Sequence, residues 1–150
     1  MPSKENTKHQ VLLLGKSTFS SFKTKKIIKF QKTNYSLNIK SISDLYVLEI
    51  TQKSYQSNKT KILKLLDAKE VKGIDQNSII ICPRRGTESP WASKSKDIFI
   101  SCGVKDLFNI ERLRLYKTEG ANELDHLELF DPLTEEHIKK ENLSNLFYKN

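Results

Sequence analysis

The apolar residues of this chain come in short runs. Val11-Leu12-Leu13-Leu14 ends at Gly15, and Ser78-Ile79-Ile80-Ile81-Cys82 lies between Asn77 and Pro83. Leu45-Tyr46-Val47-Leu48-Glu49-Ile50 mixes aromatic and β-branched side chains. Runs this short have the length of strands rather than of buried helices. Residues 37–51 therefore read as one strand with a break or as a short hairpin, and residues 109–117 as another strand. Between the runs lie lysine-rich stretches with looser periodicity. Residues 18–32 place Phe19, Phe22, Ile27, Ile28 and Phe30 among lysines, an amphipathic helix that Ser17 or Thr18 can cap. Residues 59–70, with Ile62, Leu63, Leu65, Leu66 and Ala68, predict a second helix ending before Gly73. Thr134 followed by two acids predicts a last helix reaching about Phe147. Strands and helices alternate without a glycine-rich phosphate fingerprint, so the expected class is α+β, built from ferredoxin-like units.

At 150 residues the chain can hold one domain or two small packed subdomains, and it is too short for a multi-step ATP-dependent synthetase. Residues 1–9 are polar and expected to be disordered, leaving 10–150 as the folded part in two halves, about 10–75 and 76–150. No apolar stretch approaches the roughly 18 residues that span a bilayer, and the first residues do not form a signal peptide, so the expected location is the cytoplasm. Cys82 and Cys102 show neither a CxxC pattern nor a nearby histidine pair; both are read as buried small hydrophobes, with no metal site. The formal charge of +8 raises the question of nucleic acid. Residues 1–70 carry 14 lysines against 5 acids, whereas residues 71–150 carry 12 basic residues against 13 acidic ones. Lysines outnumber arginines by 22 to 4, and no aromatic residues are interleaved as base-stacking platforms, so a solvated lysine-rich face is preferred to a nucleic-acid-binding domain. His9, His126 and His137 lie far apart, none beside a plausible nucleophile, which argues against a small independent enzyme and leaves no catalytic candidate.

Residues 83–103 run from an apolar strand through a polar loop into a helix. Ser89 followed by Pro90 is a strong helix start, because the serine oxygen accepts a loose backbone N–H and proline fits the first helical position. Trp91, Ser95, Ile98, Phe99 and Cys102 then fall on one face, and Gly103 supplies the stop. Lys94 and Lys96 sit in or near the first turns, where the helix dipole is positive, so a negative group is expected close by: Asp97, Glu88 or a partner. Arg84, Thr87, Ser89, Ser93 and Lys94, clustered beside Gly86, can hold a phosphate or carboxylate brought by another domain.

These residues resemble a known family. The large, single-chain phosphoribosylformylglycinamidine synthases have, near the end of their N-terminal domain, a segment of the form P-R-P-G-T-x-S-P-W-S-S-K-A-x-D-I followed by C-G. Pro83, Arg84, Gly86, Thr87, Ser89, Pro90, Trp91, Ser93, Lys94, Asp97, Ile98, Cys102 and Gly103 match it. A second anchor is Ile110-Glu111-Arg112, similar to the family's I-E-R. A third is Leu129-Phe130-Asp131-Pro132-Leu133-Thr134-Glu135, similar to its L-[HY]-D-[RP]-M-T-E. Departures are Arg85 for a proline, Glu88 for an apolar residue, Ala92 for a serine, Lys96 for a threonine, Ile100 for a histidine and Phe130 for a histidine or tyrosine. They put charge into a loop that should be apolar and remove an imidazole.

The resemblance implies two ferredoxin-like units packed as a pseudo-dimer, like a dimer of the small subunit of the multi-component synthase. It implies a scaffold for the synthetase and glutaminase domains of an enzyme that converts formylglycinamide ribonucleotide, ATP and glutamine to the amidine. ATP and magnesium belong to the intact enzyme, and no cofactor is expected in this chain. The partners are those domains, in cis or in trans. By the same resemblance Arg84, Gly86, Thr87, Ser89, Pro90, Trp91, Ser93, Lys94 and Asp97 form a domain-docking or substrate-proximal loop. Arg84 and Lys94 would supply charge and Trp91 would anchor the packing, with an exposed apolar patch around Trp91 in the isolated chain.

Overall fold

The structure is a computed structural model that describes residues 7–86, 88–119 and 129–147. Its elements run β1 (Lys8–Lys16), α1 (Ser21–Tyr35), β2 (Ile39–Thr51), α2 (Gln52–Leu66), β3 (Ala68–Glu70), β4 (Ser78–Pro83), α3 (Pro90–Ser101), β5 (Leu107–Thr118) and β6 (Glu135–Ile138), followed by a 3₁₀ turn at Lys140–Asn145. The strands form one antiparallel sheet in the order β3-β1-β2-β5-β4-β6. The class is α+β. The order is symmetric about the β2–β5 pair: β1, β2 and β3 stand to one side as β4, β5 and β6 stand to the other. Each half departs from the split β-α-β arrangement of a ferredoxin-like unit, because β1 and β2, joined through α1, are direct antiparallel neighbours from Lys8↔Thr51 to Lys16↔Ser43.

Alternation along β2 explains its near-continuous apolar character. Tyr46, Leu48 and Ile50 point to the face carrying the helices, where they join Val11, Leu13 and Ile110 of the sheet with Tyr55, Ile62 and Phe99 above. Ile42 belongs to a neighbouring cluster on that face, with Ile79, Ile81 and Tyr116 beneath Ile27 and Ile28 of α1. Leu45 and Val47 point the other way and pack with Ile80, Cys82, Leu113 and Ile138 under Leu143, Leu146 and Phe147 of the C-terminal segment. The sheet is therefore buried on both faces, by helices on one and by irregular chain on the other. Burial pushes the Cys82 thiol up to about 12.

Four expected boundaries move, each for a local reason. β1 starts at Lys8, which pairs with Thr51, so residues 8 and 9 belong to the sheet and not to a disordered tail. Thr18 does not cap α1, because its Oγ1 and backbone N both donate to the Asp44 carboxylate, at 2.5 and 3.1 Å. Ser20 caps instead, its Oγ accepting from Lys23 N at 3.1 Å. Thr51 starts α2 seven residues earlier than the apolar pattern suggests, its Oγ1 accepting from Ser54 N at 3.2 Å. The helix ends at Asp67 in the left-handed region (φ 49°), and Ala68–Glu70 adds to the edge of β1 as a strand. The expected last helix is β6, because the turn from Asp131 delivers residues 135–138 to the open edge of β4, where Ile138 pairs with Ile80. His9 is half-buried edge-on to Tyr55 and His137 half-buried in β6; His126 lies outside the described residues.

Gly15 is required by packing. A Cβ there would stand 2.7 Å from Cε2 of Tyr46. Tyr46 is held in turn against Trp91, so it cannot swing aside without breaking that stack. Gly15→Ala is expected to cost about 1–3 kcal/mol, read as a lowered urea midpoint; an unchanged midpoint would show that Tyr46 relocates freely.

Candidate functional site

The loop between β4 and α3 is built by hydrogen bonds from two distant parts of the chain, Glu111 and the segment 132–136. Ser89, extended at φ −69°, ψ 155°, caps α3 by accepting from Ala92 N at 3.1 Å, and Pro90 takes the first helical position, as the sequence predicts. The same Oγ donates to Glu111 Oε1 at 2.7 Å, an oxygen that also accepts from Arg112 N at 3.1 Å. On the far side of the loop Arg84 N donates to Thr134 O at 3.1 Å, and Arg84 Nη1 to Pro132 O at 2.7 Å. Arg85 meets Glu136 with its backbone N (2.8 Å), Nε (3.0 Å) and Nη2 (2.9 Å). Gly86 turns the chain at φ 94°, a conformation side chains disfavour. Thr87 lies outside the described residues. The three motif segments, separate in sequence, thus close on one another.

Between them is a cavity of about 240 Å³, lined by Arg84, Arg85, Glu88, Lys96, Asn109 and Glu111 among others. Arg85, a departure from the family pattern, carries no loose charge into the loop: its guanidinium is paired and about three-quarters buried. Glu88 accepts from Ser93 Oγ at 3.0 Å. Glu88 and Glu111 are carboxylates of this chain close to the start of α3. Lys94, Asp97 and Ser93 are exposed on the outer surface of α3, while Lys96 is half-buried against the cavity.

Trp91 turns inward. Its ring stacks on Tyr46 with centroids 5.6 Å apart and planes at 27°, and the Arg112 guanidinium lies 5.1 Å from its centroid. Trp91 is half-buried, and α3 packs along Ala92 and Phe99, leaving Ile98 and Ile100 46% and 61% exposed. The expected stripe was correct at Phe99 and wrong at Ile98, because Ala92, too small to register as an anchor, lets the helix sit close to the sheet. Sequence reasoning also missed Glu136 and the roles of Glu111 and Arg112. An acid at a buried position of a strand, as at Glu111, was the available signal.

Burial raises the Glu111 pKa, opposed by the hydrogen bonds from Ser89 and from Arg112 N and by the Arg112 charge. A carboxyl raised on folding is stabilising while protonated, and that contribution is lost as pH rises from the ordinary carboxylate range through the folded value. Glu111→Gln keeps an acceptor for Ser89 and is expected to remove this downward slope of stability with pH. Urea midpoints between pH 4 and pH 7 check it; an unaltered slope would assign the dependence to other groups.

The arrangement is an antiparallel α+β domain whose most patterned loop is held by the chain's own carboxylates and carbonyls. Residues 43–147 match the family described as formylglycinamide ribonucleotide amidotransferase N-terminal, and the chain belongs to that family. It is also similar to the phosphoribosylformylglycinamidine synthase of Schizosaccharomyces pombe, with 35% identity over 92 residues, covering 57% of this chain and 7% of that protein. The chain thus spans a small fraction of the length of the relative it matches. Among the described residues no helix is long and apolar enough to cross a membrane, and no group of three or more His, Cys, Asp or Glu side chains is placed to hold a metal.

Proposed function

We propose that this chain serves as the N-terminal part of a phosphoribosylformylglycinamidine synthase, scaffolding the synthetase and glutaminase domains of the enzyme that makes the amidine from formylglycinamide ribonucleotide, ATP and glutamine. The chain itself performs no chemical step. The observation that carries this reading is the closure of the three motif segments: Ser89 on Glu111, Arg84 on Pro132 and Thr134, and Arg85 on Glu136. Such stapling spends the loop's polar groups internally and fixes the surface of α3 in one position, as a rigid docking element needs. Lys94 and Asp97 are the side chains left to face a partner, beside Ser93, which is held by Glu88; Arg84, Gly86, Ser89, Pro90 and Trp91 shape the element that presents them. The symmetric strand order supports a pseudo-dimer of two related halves meeting at β2 and β5. Neither the family match nor the geometry favours the alternative of a nucleic-acid-binding domain.

The test is a graft. This chain replaces the matching N-terminal segment of the fission-yeast synthase, and glutamine-dependent amidine formation is measured. Restored activity is expected, with Lys94→Glu lowering it about tenfold, roughly 1.4 kcal/mol, while the urea midpoint of the isolated chain stays put. An inactive graft, in a protein that still elutes as a folded species, overturns the reading.

A further inference from the structure

Helix α1 presents a surface that the stapled loop does not use. Its residues Ser21–Tyr35 include Lys23, Lys25, Lys26, Lys29 and Lys32 and no acidic residue. Ile27 and Ile28 face the sheet, yet Phe22 and Phe30 are 71% and 52% exposed. Phe22, Lys26 and Phe30 are four residues apart, so they form one stripe along the helix, with Lys26 Nζ 5.1 Å from the Phe22 ring centroid. Beside the stripe runs a groove of about 600 Å³ between α1 and β5, lined by Phe19, Lys23, Ile27, Phe30 and Arg114 among others. Gln31, also in its lining, is 2% exposed, and its Oε1 has no hydrogen-bond partner among the described residues. Exposed aromatic rings on a helix of one charge sign, next to a groove holding an unpaired acceptor, have the composition of an interface and not of a solvated face.

We infer that the outer face of α1 is a second docking surface, whose occupant is an acidic protein surface in the remainder of the synthase. This rests on the scaffold reading, and it adds a contact outside residues 43–147, the part the family match covers. Charge complementarity defines the occupant: carboxylates to meet five lysines, an apolar depression for Phe22 and Phe30, and a donor for Gln31 Oε1. A nucleic acid fits less well. The two rings are about 12 Å apart along the axis, too far for stacking on successive bases, and the helix has lysines only, without the planar guanidinium that favours phosphate recognition. The relative's length leaves ample room for such a partner, since this chain covers 7% of it.

The experiment uses the active graft. Zero-length carbodiimide coupling, which joins amines to carboxylates, is expected to link Lys23, Lys26 or Lys29 to Asp or Glu residues beyond the grafted chain. Lys23→Glu/Lys26→Glu/Lys29→Glu and Phe22→Ser/Phe30→Ser are each expected to abolish those links and lower activity at least fivefold, with unchanged urea midpoints in the isolated chain. A graft that is active, forms no such links and is indifferent to both variants sinks the α1 surface and leaves the scaffold reading standing. An inactive wild-type graft removes both. Salt-sensitive retention of a labelled single-stranded oligonucleotide by the chain, lost in the lysine variant while graft activity is unmoved, would assign the face to nucleic acid and overturn the proposal, as would a dimer of the chain that dissociates on Phe22→Ser/Phe30→Ser.

Discussion

Trp91→Ala is expected to lower the folding stability of the chain by about 3 kcal/mol. The indole stacks on the Tyr46 ring, has the Arg112 guanidinium 5.1 Å from its centroid, and packs on the cluster formed by Leu13, Leu48, Ile62 and Phe99. Truncation removes the stack, the cation–π contact and the buried area together. The result to look for is a urea midpoint displaced downward with an unchanged slope, since the extent of surface exposed on unfolding is nearly the same. Trp91→Phe keeps an aromatic plane against Tyr46 and should lose less than half as much. A cost below 1 kcal/mol for the alanine variant would mean that the ring contributes little to the fold and is available to a partner after all. The consequence for function is direct. In the proposed graft, loss of activity on Trp91→Ala would report unfolding as readily as undocking, whereas Lys94, exposed on the outer surface of α3, separates the two.

The contrast between Trp91 and Lys94 also marks what was legible beforehand. Local chemistry was: Ser89 and Pro90 start α3, Gly103 ends it at φ 87°, and the runs at Val11, Leu45 and Ser78 are strands, because caps, prolines and short apolar runs act within a few residues of themselves. Long-range pairing was not. Nothing near Thr134 shows that β4 leaves an open edge that residues 135–138 will complete, so a segment with a helix-start pattern becomes β6. Likewise the polar stretch 52–58 shows no apolar stripe, yet Thr51 caps it and Tyr55 buries against the same cluster as Ile62. The site followed the same division. Its residue types were readable, but the direction of Trp91 depends on Tyr46 and Arg112, which arrive from two other strands. The charge at Arg85 is answered by Glu136, 51 positions away. The departure at Arg85 is therefore matched by a counter-charge from the chain itself.

The other large effect is expected at Arg114, which the motif segments do not include but which holds the third of them in place. Its Nη1 and Nη2 donate to the two oxygens of Glu135 at 2.5 and 3.0 Å, Nη2 also to Leu129 O at 3.1 Å, and Nε to the Tyr116 hydroxyl at 3.0 Å. Both side chains of the ion pair are about four-fifths buried, at 20% and 22% exposure, so solvent screens the pair little. Arg114→Ala takes a donor from the Glu135 carboxylate, the Leu129 carbonyl and the Tyr116 hydroxyl, leaving Asp131 N on Glu135 and the Tyr116 hydroxyl on Leu129 O, and breaking such a pair costs about 3 kcal/mol. Glu135→Ala strands the guanidinium but leaves it the Leu129 and Tyr116 oxygens, and should cost about 2 kcal/mol. The double variant removes both charges at once, so its cost should fall short of the sum by about 1–2 kcal/mol, measurable as a double-mutant cycle on urea midpoints. Strict additivity would show that the two groups act independently and that residues 129–135 are held by backbone alone. Non-additivity makes Arg114 the link between β5 and the segment that receives Arg84, so the stapling of the β4–α3 loop should loosen whenever this buried pair is broken.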